Sequence, residues 1–105
     1  MIEEIRMKIS AGQFEFSQHA VDQTILRHIT LREIYEAIST GEIIENYPDD
    51  KYGPSCLIFG TTLAGRPLHI QSSHSSRPLI KIVTLYEPDP LNWINHKVRR
   101  AGHDT

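Results

Sequence analysis

The segment TLREIYEAISTGEIIENY, residues 30–47, contains a change from helical to extended patterning that organises the whole chain. Up to Ile38 its apolar side chains recur at helical spacing, and residues 30–33 match the T-x-x-E capping box of a helix N-terminus. Gly41 is a typical stop for such a helix. Residues 42–47 then have the composition of a strand. The segment therefore predicts a helix followed directly by a β-strand.

Two more helices are predicted on the N-terminal side of this segment. Residues 1–11 carry isoleucines at helical spacing and are followed by Gly12. Ser17 is a favourable N-cap for a second helix over residues 18–28. Polar side chains recur every four residues along that second helix and form one row, made of His19, Gln23 and Arg27.

The remainder of the chain is dominated by predicted strands. Short apolar runs separated by Gly, Pro, Asp and Ser predict four strands, at residues 42–47, 55–61, 68–73 and 80–86. Their short connections favour an antiparallel meander. Asp89 followed by Pro90 is typical of a helix start and predicts a short C-terminal helix. The predicted fold is α+β, with N-terminal helices packed on one face of a four-stranded, mostly antiparallel sheet.

Length and composition indicate one domain, residues 1–105, of ordinary globular type. Cys56 is the only cysteine, which excludes an intrachain disulfide. No apolar run approaches the roughly 20 residues of a membrane span. The first ten residues contain acidic side chains and lack a continuous apolar core, so they do not resemble a signal peptide and we expect a cytoplasmic protein.

Charge is distributed unevenly along the chain. Residues 1–50 carry ten acidic and four basic side chains, whereas residues 51–105 carry three acidic and seven basic ones. From Lys51 to Tyr86 there is no Asp or Glu at all. This asymmetry is compatible with an anion-binding face, although helices in general are richer in Glu than strands.

The spacing of potential ligands argues against a metal centre. His69 and His74 are five residues apart, so a continuous strand would direct them to opposite faces. The sequence has no cysteine pair and no His-x-x-x-His run. It also lacks a glycine-rich phosphate loop. We therefore predict neither a metal nor a cofactor.

Taken in order along the chain, the motifs resemble the domain-of-unknown-function 4258 (DUF4258) family. The similarity covers residues 14–100 and depends on the number and order of the motifs, since each is weak alone. The motifs are SQHA (17–20), RHIT (27–30), EIYEAI (33–38), GEIIENYPDD (41–50), PSCL (54–57), GRPLH (65–69), TLYEPD (84–89), Trp93 and Arg99-Arg100.

This resemblance implies both a fold and a class of function. The family is grouped with the barnase, EndoU, colicin and RelE-like fold, whose members have N-terminal helices against a four-stranded antiparallel sheet. Many proteins of that group cleave RNA without a metal ion, and several are toxins of bacterial toxin–antitoxin pairs. The resemblance thus implies RNA or the ribosome as a target and an antitoxin protein as a partner.

Metal-free RNA cleavage requires groups that transfer protons and cations that stabilise the phosphate. Histidine suits the first role and arginine the second. The predicted proton-transfer residues are His19 and His69. The predicted phosphate or RNA contacts are Arg27, Arg66, Tyr86 and Arg100. For catalysis, the two imidazoles would have to meet over one positively charged cleft.

A different class of function fits the same residues. Each candidate side chain also has a structural interpretation, such as a local hydrogen bond near a helix start for His19 or a sheet-edge position for Tyr86. In that case the domain is a non-catalytic module that binds another protein through its sheet. Scattered histidines and a flat or apolar patch would then be expected.

Overall fold

The computed structural model describes residues 1–101 and has an α+β architecture. The helices are α1 (Ile2–Ser10), α2 (Gln18–Leu26) and α3 (Leu31–Ser39). The strands are β1 (Phe14–Phe16), β2 (Glu42–Tyr47), β3 (Ser55–Thr61), β4 (Pro67–Ser73), β5 (Ile80–Tyr86), β6 (Trp93–Ile94) and β7 (Val98–Arg99). None of the helices in the described range is long and apolar enough to cross a membrane.

The predicted helix starts are confirmed in atomic detail. The Thr30 hydroxyl accepts a hydrogen bond from the Glu33 amide at 3.1 Å, and the Glu33 carboxylate accepts one from the Thr30 amide at 2.9 Å. This reciprocal pair is the predicted capping box. Ser17 caps α2 by accepting from the Ala20 amide at 3.0 Å. Helix α2 ends at Leu26, two residues earlier than predicted, and His28 has a left-handed backbone with φ of 53°.

The main sheet has five strands in the order β1-β5-β4-β3-β2, so the prediction of a four-stranded antiparallel sheet is wrong. Strands β2 to β5 do form the expected antiparallel meander. Strand β1 pairs in parallel with β5, where Phe14 lies opposite Ile80. Three residues are too short to show a periodic pattern. The pairing satisfies backbone groups that β5 would otherwise expose at the sheet edge.

All three helices contribute to one hydrophobic core on one face of the sheet. The core residues include Ile5 and Ile9 of α1, Ala20 of α2, Ile34, Ala37 and Ile38 of α3, and Ile58, Ile70, Ile82 and Leu85 of the strands. Gly60 of β3 lets α3 approach closely, because an added Cβ there would lie 1.8 Å from the Ala37 carbonyl oxygen. The glycine is therefore required by the close packing of α3 on the sheet.

The predicted C-terminal helix is also wrong, since strands β6 and β7 form a hairpin instead. The hairpin turn has φ values of 52° at Asn95 and 65° at His96, and the Lys97 amide donates to the Ile94 carbonyl at 3.0 Å. Left-handed backbone of this kind is incompatible with an α-helix but suits a tight hairpin turn. Asp89 forms only a local turn, in which its carboxylate accepts from the Leu91 amide at 2.9 Å.

Candidate functional site

The main sheet has a second face, opposite the helical core, and the β6–β7 hairpin covers part of it. We call this second face the hairpin face. Trp93 of β6 is 4 % exposed and packs edge-on against the His69 ring, with 4.5 Å between the ring centroids. The ring of His96 stacks on Phe59 at 5.7 Å. Burying these aromatic rings outweighs the weak helical preference of the C-terminal segment.

His69 lies in the middle of this contact and is completely buried. Its Nε2 is 2.5 Å from the His96 carbonyl oxygen, and its Nδ1 is 3.3 Å from the Tyr86 hydroxyl. A carbonyl oxygen only accepts, so Nε2 carries the proton and the neutral ring uses Nδ1 to accept from Tyr86. Burial lowers the pKa of His69, against the opposing effects of the His96 hydrogen bond and the charge of Glu45. The polar strand position predicted for His69 is real, but the hairpin removes it from solvent.

Arg66 is held by several protein groups at once. Its guanidinium donates to the Glu87 carboxylate at 2.9 Å and to both oxygens of Glu33 at 3.2 Å. It also donates to the carbonyls of Arg27 and His28, at 2.7 and 2.9 Å. These contacts join the α2–α3 connection to the end of β5. Arg66 therefore occupies a structural position, and a phosphate contact by this residue stays a prediction.

Three other predicted residues do lie together, in a cleft with a volume of about 460 Å³ that we call the arginine cleft. Its lining residues are Arg27, Tyr86, Glu87, Asp89, Asn92, Trp93, Arg99 and Arg100. Arg27 comes from the C-terminal end of α2, Tyr86 from the end of β5, and the other arginines from β7 and the residue after it. The fold thus brings Arg27, Tyr86 and Arg100 to one place, as a phosphate-binding site would require.

Arg99 belongs to this cleft but was absent from the predicted contacts. Its guanidinium lies 4.6 Å above the Trp93 ring and pairs with the Glu45 carboxylate at 3.0 Å. Burial opposes ionisation of Glu45, yet the hydrogen bonds from Arg99 and Tyr47 lower the pKa of its carboxyl. In the predicted helix Arg99 was one of several terminal cations. The two residues of β7, Val98 and Arg99, are too few to show the alternating pattern that would indicate a strand.

His19 lies in a different cavity, with a volume of about 490 Å³. That cavity is lined by Ser17, His19, Asp50, Tyr52, Gly53, Pro54, Ser55, Gln71, Ser73, Arg77, Lys81 and Val83. His69 is not among these residues and is buried below the hairpin. The two imidazoles therefore do not meet over one cleft. Their joint catalytic role stays a prediction without a shared cavity to support it.

Within residues 1–101, no group of three or more His, Cys, Asp or Glu side chains is arranged to hold a metal ion. Cys56 is buried, and burial raises the pKa of its thiol to about 11. It is therefore a protonated core side chain at neutral pH, and not a thiolate nucleophile.

The comparison with family models matches residues 16–87 to the Domain of unknown function (DUF4258). The chain belongs to the DUF4258 family. No curated protein and no solved structure matches this chain. The matched segment of the family contains His19, Arg27, Arg66, His69 and Tyr86. The hairpin that supplies Arg99 and Arg100 lies beyond it.

The buried position of His69 predicts a specific dependence of stability on pH. Its pKa in the folded protein lies below the ordinary 6.5, so the unfolded chain takes up a proton first as the pH falls. The free energy of unfolding should therefore decrease between pH 7 and 5. The carboxyls of Glu33 and Glu45, whose pKa values are also lowered, affect stability only below about pH 4.5. Urea unfolding of wild-type protein and His69→Gln at pH 7 and 5 measures this difference.

The His69→Gln variant keeps an amide donor for the His96 carbonyl, but its side chain has no group that takes up a proton between pH 7 and 5. We expect it to lose clearly less stability than wild type over this interval. An equal loss in His69→Gln and wild type would contradict this assignment.

Proposed function

We propose that this protein binds single-stranded RNA in the arginine cleft and cleaves it without a metal ion, through attack of the 2′-hydroxyl on the adjacent phosphorus. The observation that carries the proposal is the convergence of Arg27, Arg99 and Arg100 on Tyr86 in one cleft. Arginine binds phosphate oxygens in pairs through its planar fork. Tyr86 supplies a hydroxyl and an aromatic ring at the same place.

The two acidic residues of the cleft are both engaged by protein groups. Glu87 accepts from the Arg66 guanidinium, and Asp89 accepts from the Leu91 amide. Two of the arginines are bound only to neutral acceptors in the hydrogen bonds they make: Arg27 donates to the Gln23 side chain at 2.5 Å, and Arg100 donates to the Pro90 carbonyl at 2.8 Å. The charges of Arg27 and Arg100 are thus available to a ligand, which favours an anion.

Single-stranded RNA fits this site better than a duplex. Unpaired bases stack on aromatic rings and on arginine planes, and the cleft offers both in Tyr86 and in Arg99 above Trp93. The cleft also adjoins a second cavity of the hairpin face, with which it shares Tyr86 and Arg99, so a flexible strand can continue beyond it. A base-paired helix would keep its base edges away from these groups.

The pair formed by Tyr86 and His69 provides a route for a proton. In this mechanism the Tyr86 oxygen accepts the proton of the attacking 2′-hydroxyl while the Tyr86 proton moves to His69 Nδ1. Burial keeps His69 neutral, which leaves Nδ1 able to accept. A bond forms between the 2′-oxygen and phosphorus, and the bond to the 5′-oxygen breaks. Water at the open cleft protonates the leaving oxygen. The resulting hydroxide takes the proton of Tyr86 while His69 Nδ1 returns its proton to the Tyr86 oxygen, which restores both groups.

A non-catalytic protein-binding module is the second candidate, and one observation favours it. Ile25 and Leu26, at the end of α2, have exposed fractions of 69 % and 68 %. Adjacent exposed apolar side chains are typical of a docking surface for another protein, such as an antitoxin. A module of this kind would bind its partner without requiring the hydroxyl of Tyr86.

The substitution Tyr86→Phe separates the two candidates. It removes the hydroxyl but keeps the ring, so we expect RNA cleavage in EDTA to fall by about 100-fold or more. Binding of a DNA strand of the same sequence, which lacks the attacking 2′-hydroxyl, should be unchanged. Tyr35→Phe is the matched control, because Tyr35 lines a groove next to α1 on the other side of the molecule.

Cleavage that is equally fast in wild type and Tyr86→Phe would contradict the role of Tyr86. Wild-type protein that binds RNA but does not cleave it would remove the enzymatic half of the proposal. Wild-type protein that binds no RNA would overturn the whole proposal and leave the protein-binding module.

Arg100→Ala tests the phosphate contact through the salt dependence of binding. Each phosphate neutralised on a single strand contributes roughly 0.7 to the slope of log affinity against log salt concentration. We expect the slope for single-stranded RNA to become shallower by about that amount, measured by fluorescence anisotropy across a salt series. Arg32→Ala is the control, since Arg32 is 88 % exposed on α3, away from the cleft. The same slope for Arg100→Ala and wild type would exclude Arg100 as a phosphate contact.

A further inference from the structure

We propose that the cavity beside His19 is a base-recognition subsite, which receives an unpaired base bearing an amino group and holds it against the carboxylate of Asp50. This inference rests on the proposed function, since it places a second part of the same RNA strand. We call this cavity the Asp50 subsite. It differs from the arginine cleft in its lining and in the chemistry that it presents.

The Asp50 subsite and the arginine cleft are joined by a third cavity of about 550 Å³. This middle cavity shares Tyr86 and Arg99 with the arginine cleft. It shares Asp50 and Gln71 with the Asp50 subsite. The three cavities therefore form one continuous groove across the hairpin face.

Helix α2 and its C-cap contribute one lining residue at each end of this groove. The polar row recognised in the sequence places His19 at the Asp50 subsite and Arg27 at the arginine cleft, with Gln23 between them. Eight residues of helix separate the two ends by about 12 Å. A stacked strand rises roughly 3.4 Å per nucleotide, so this distance spans more than one nucleotide. A strand with a phosphate in the arginine cleft can thus place a different nucleotide at the Asp50 subsite.

The Asp50 carboxylate is held in a fixed orientation. Its Oδ2 accepts from the Ser55 hydroxyl at 2.7 Å and from Gln71 Nε2 at 3.3 Å. Gln71 Nε2 also donates to the Ser55 oxygen at 3.1 Å. Both side-chain donors use the same carboxylate oxygen, so Oδ1 is the atom that a ligand N–H would meet.

The chemistry of this acceptor selects a base in preference to a phosphate. A carboxylate repels phosphate but accepts from the exocyclic amino group of cytosine, adenine or guanine. Uracil has a carbonyl oxygen where cytosine has its amino group, and an acceptor facing another acceptor is unfavourable. Lys81 and Arg77 line the same cavity and supply positive charge for the phosphates on either side of the base.

The test compares cytidine and uridine hexanucleotides, two pyrimidine strands that differ in this one group. Equilibrium binding is measured by fluorescence anisotropy in EDTA, with 2′-deoxy sugars so that neither strand is cleaved. We expect the wild type to bind the cytosine strand about tenfold more tightly than the uracil strand. Asp50→Asn should abolish this preference, because its amide replaces one acceptor by a donor. Asp22→Asn is the control, since this exposed residue of α2 makes the same change of charge away from the groove.

The possible results separate this inference from the proposed function. Wild-type protein that binds both strands equally, or an Asp50→Asn variant that keeps the preference, would overturn the Asp50 subsite alone. Wild-type protein that binds neither strand would overturn both. The wild-type comparison decides the matter even if Asp50→Asn fails to fold.

Discussion

The hydrogen bond from the buried imidazole of His69 to the carbonyl of His96 is the contact on which the geometry of the hairpin face depends. His69 is completely buried because the hairpin covers it, so its N–H needs an acceptor within the protein, and the His96 carbonyl supplies one. The same contact fixes the left-handed turn at Asn95 and His96 and seats Trp93 against the ring. It thereby places Arg99 and Arg100 beside Tyr86. The arginine cleft is thus a consequence of how the C-terminal segment docks.

The two faces of the main sheet differ in composition: one packs against the helices and the other lines the groove. The helical face buries isoleucine and leucine side chains and supplies most of the hydrophobic stabilisation. The hairpin face carries polar and aromatic side chains, and strands β3 to β5, which form its floor, contain no acidic residue. Four acidic residues line the groove, and they come from the loops beside these strands: Glu87, Asp89, Asp49 and Asp50. Glu87 is paired with Arg66, Asp89 accepts from the Leu91 amide, and Asp50 is bound by Ser55 and Gln71. This arrangement places basic side chains at both ends of the groove, with the Asp50 carboxylate held in a fixed orientation between them.

Local patterns in the sequence were sufficient for much of the fold. The capping box at Thr30, the N-cap at Ser17 and the four strands of the meander are encoded within a few residues of each other, and all of them are present. The errors arose where contacts distant in sequence determine the structure. Phe14–Phe16 is a strand only because β5 lies beside it, and residues 93–99 form a hairpin because Trp93 is buried against His69. His19 lies on α2 as predicted, but Arg27 is the C-cap beyond the end of that helix, and the two residues line different cavities. Arg66 could not be assigned from sequence, because its partners Glu33 and Glu87 are 33 and 21 residues away.

The central claim is that single-stranded RNA lies along the groove of the hairpin face, and amide chemical-shift mapping tests it most directly. Wild-type protein labelled with nitrogen-15 is titrated with a short single-stranded oligonucleotide at low salt. The account predicts that the amides that shift most belong to residues around the groove, including Arg27, Asp50, Tyr86 and Arg99. It would be contradicted by shifts concentrated on α1 and the outer side of α3, or by a spectrum that does not change on addition of the strand.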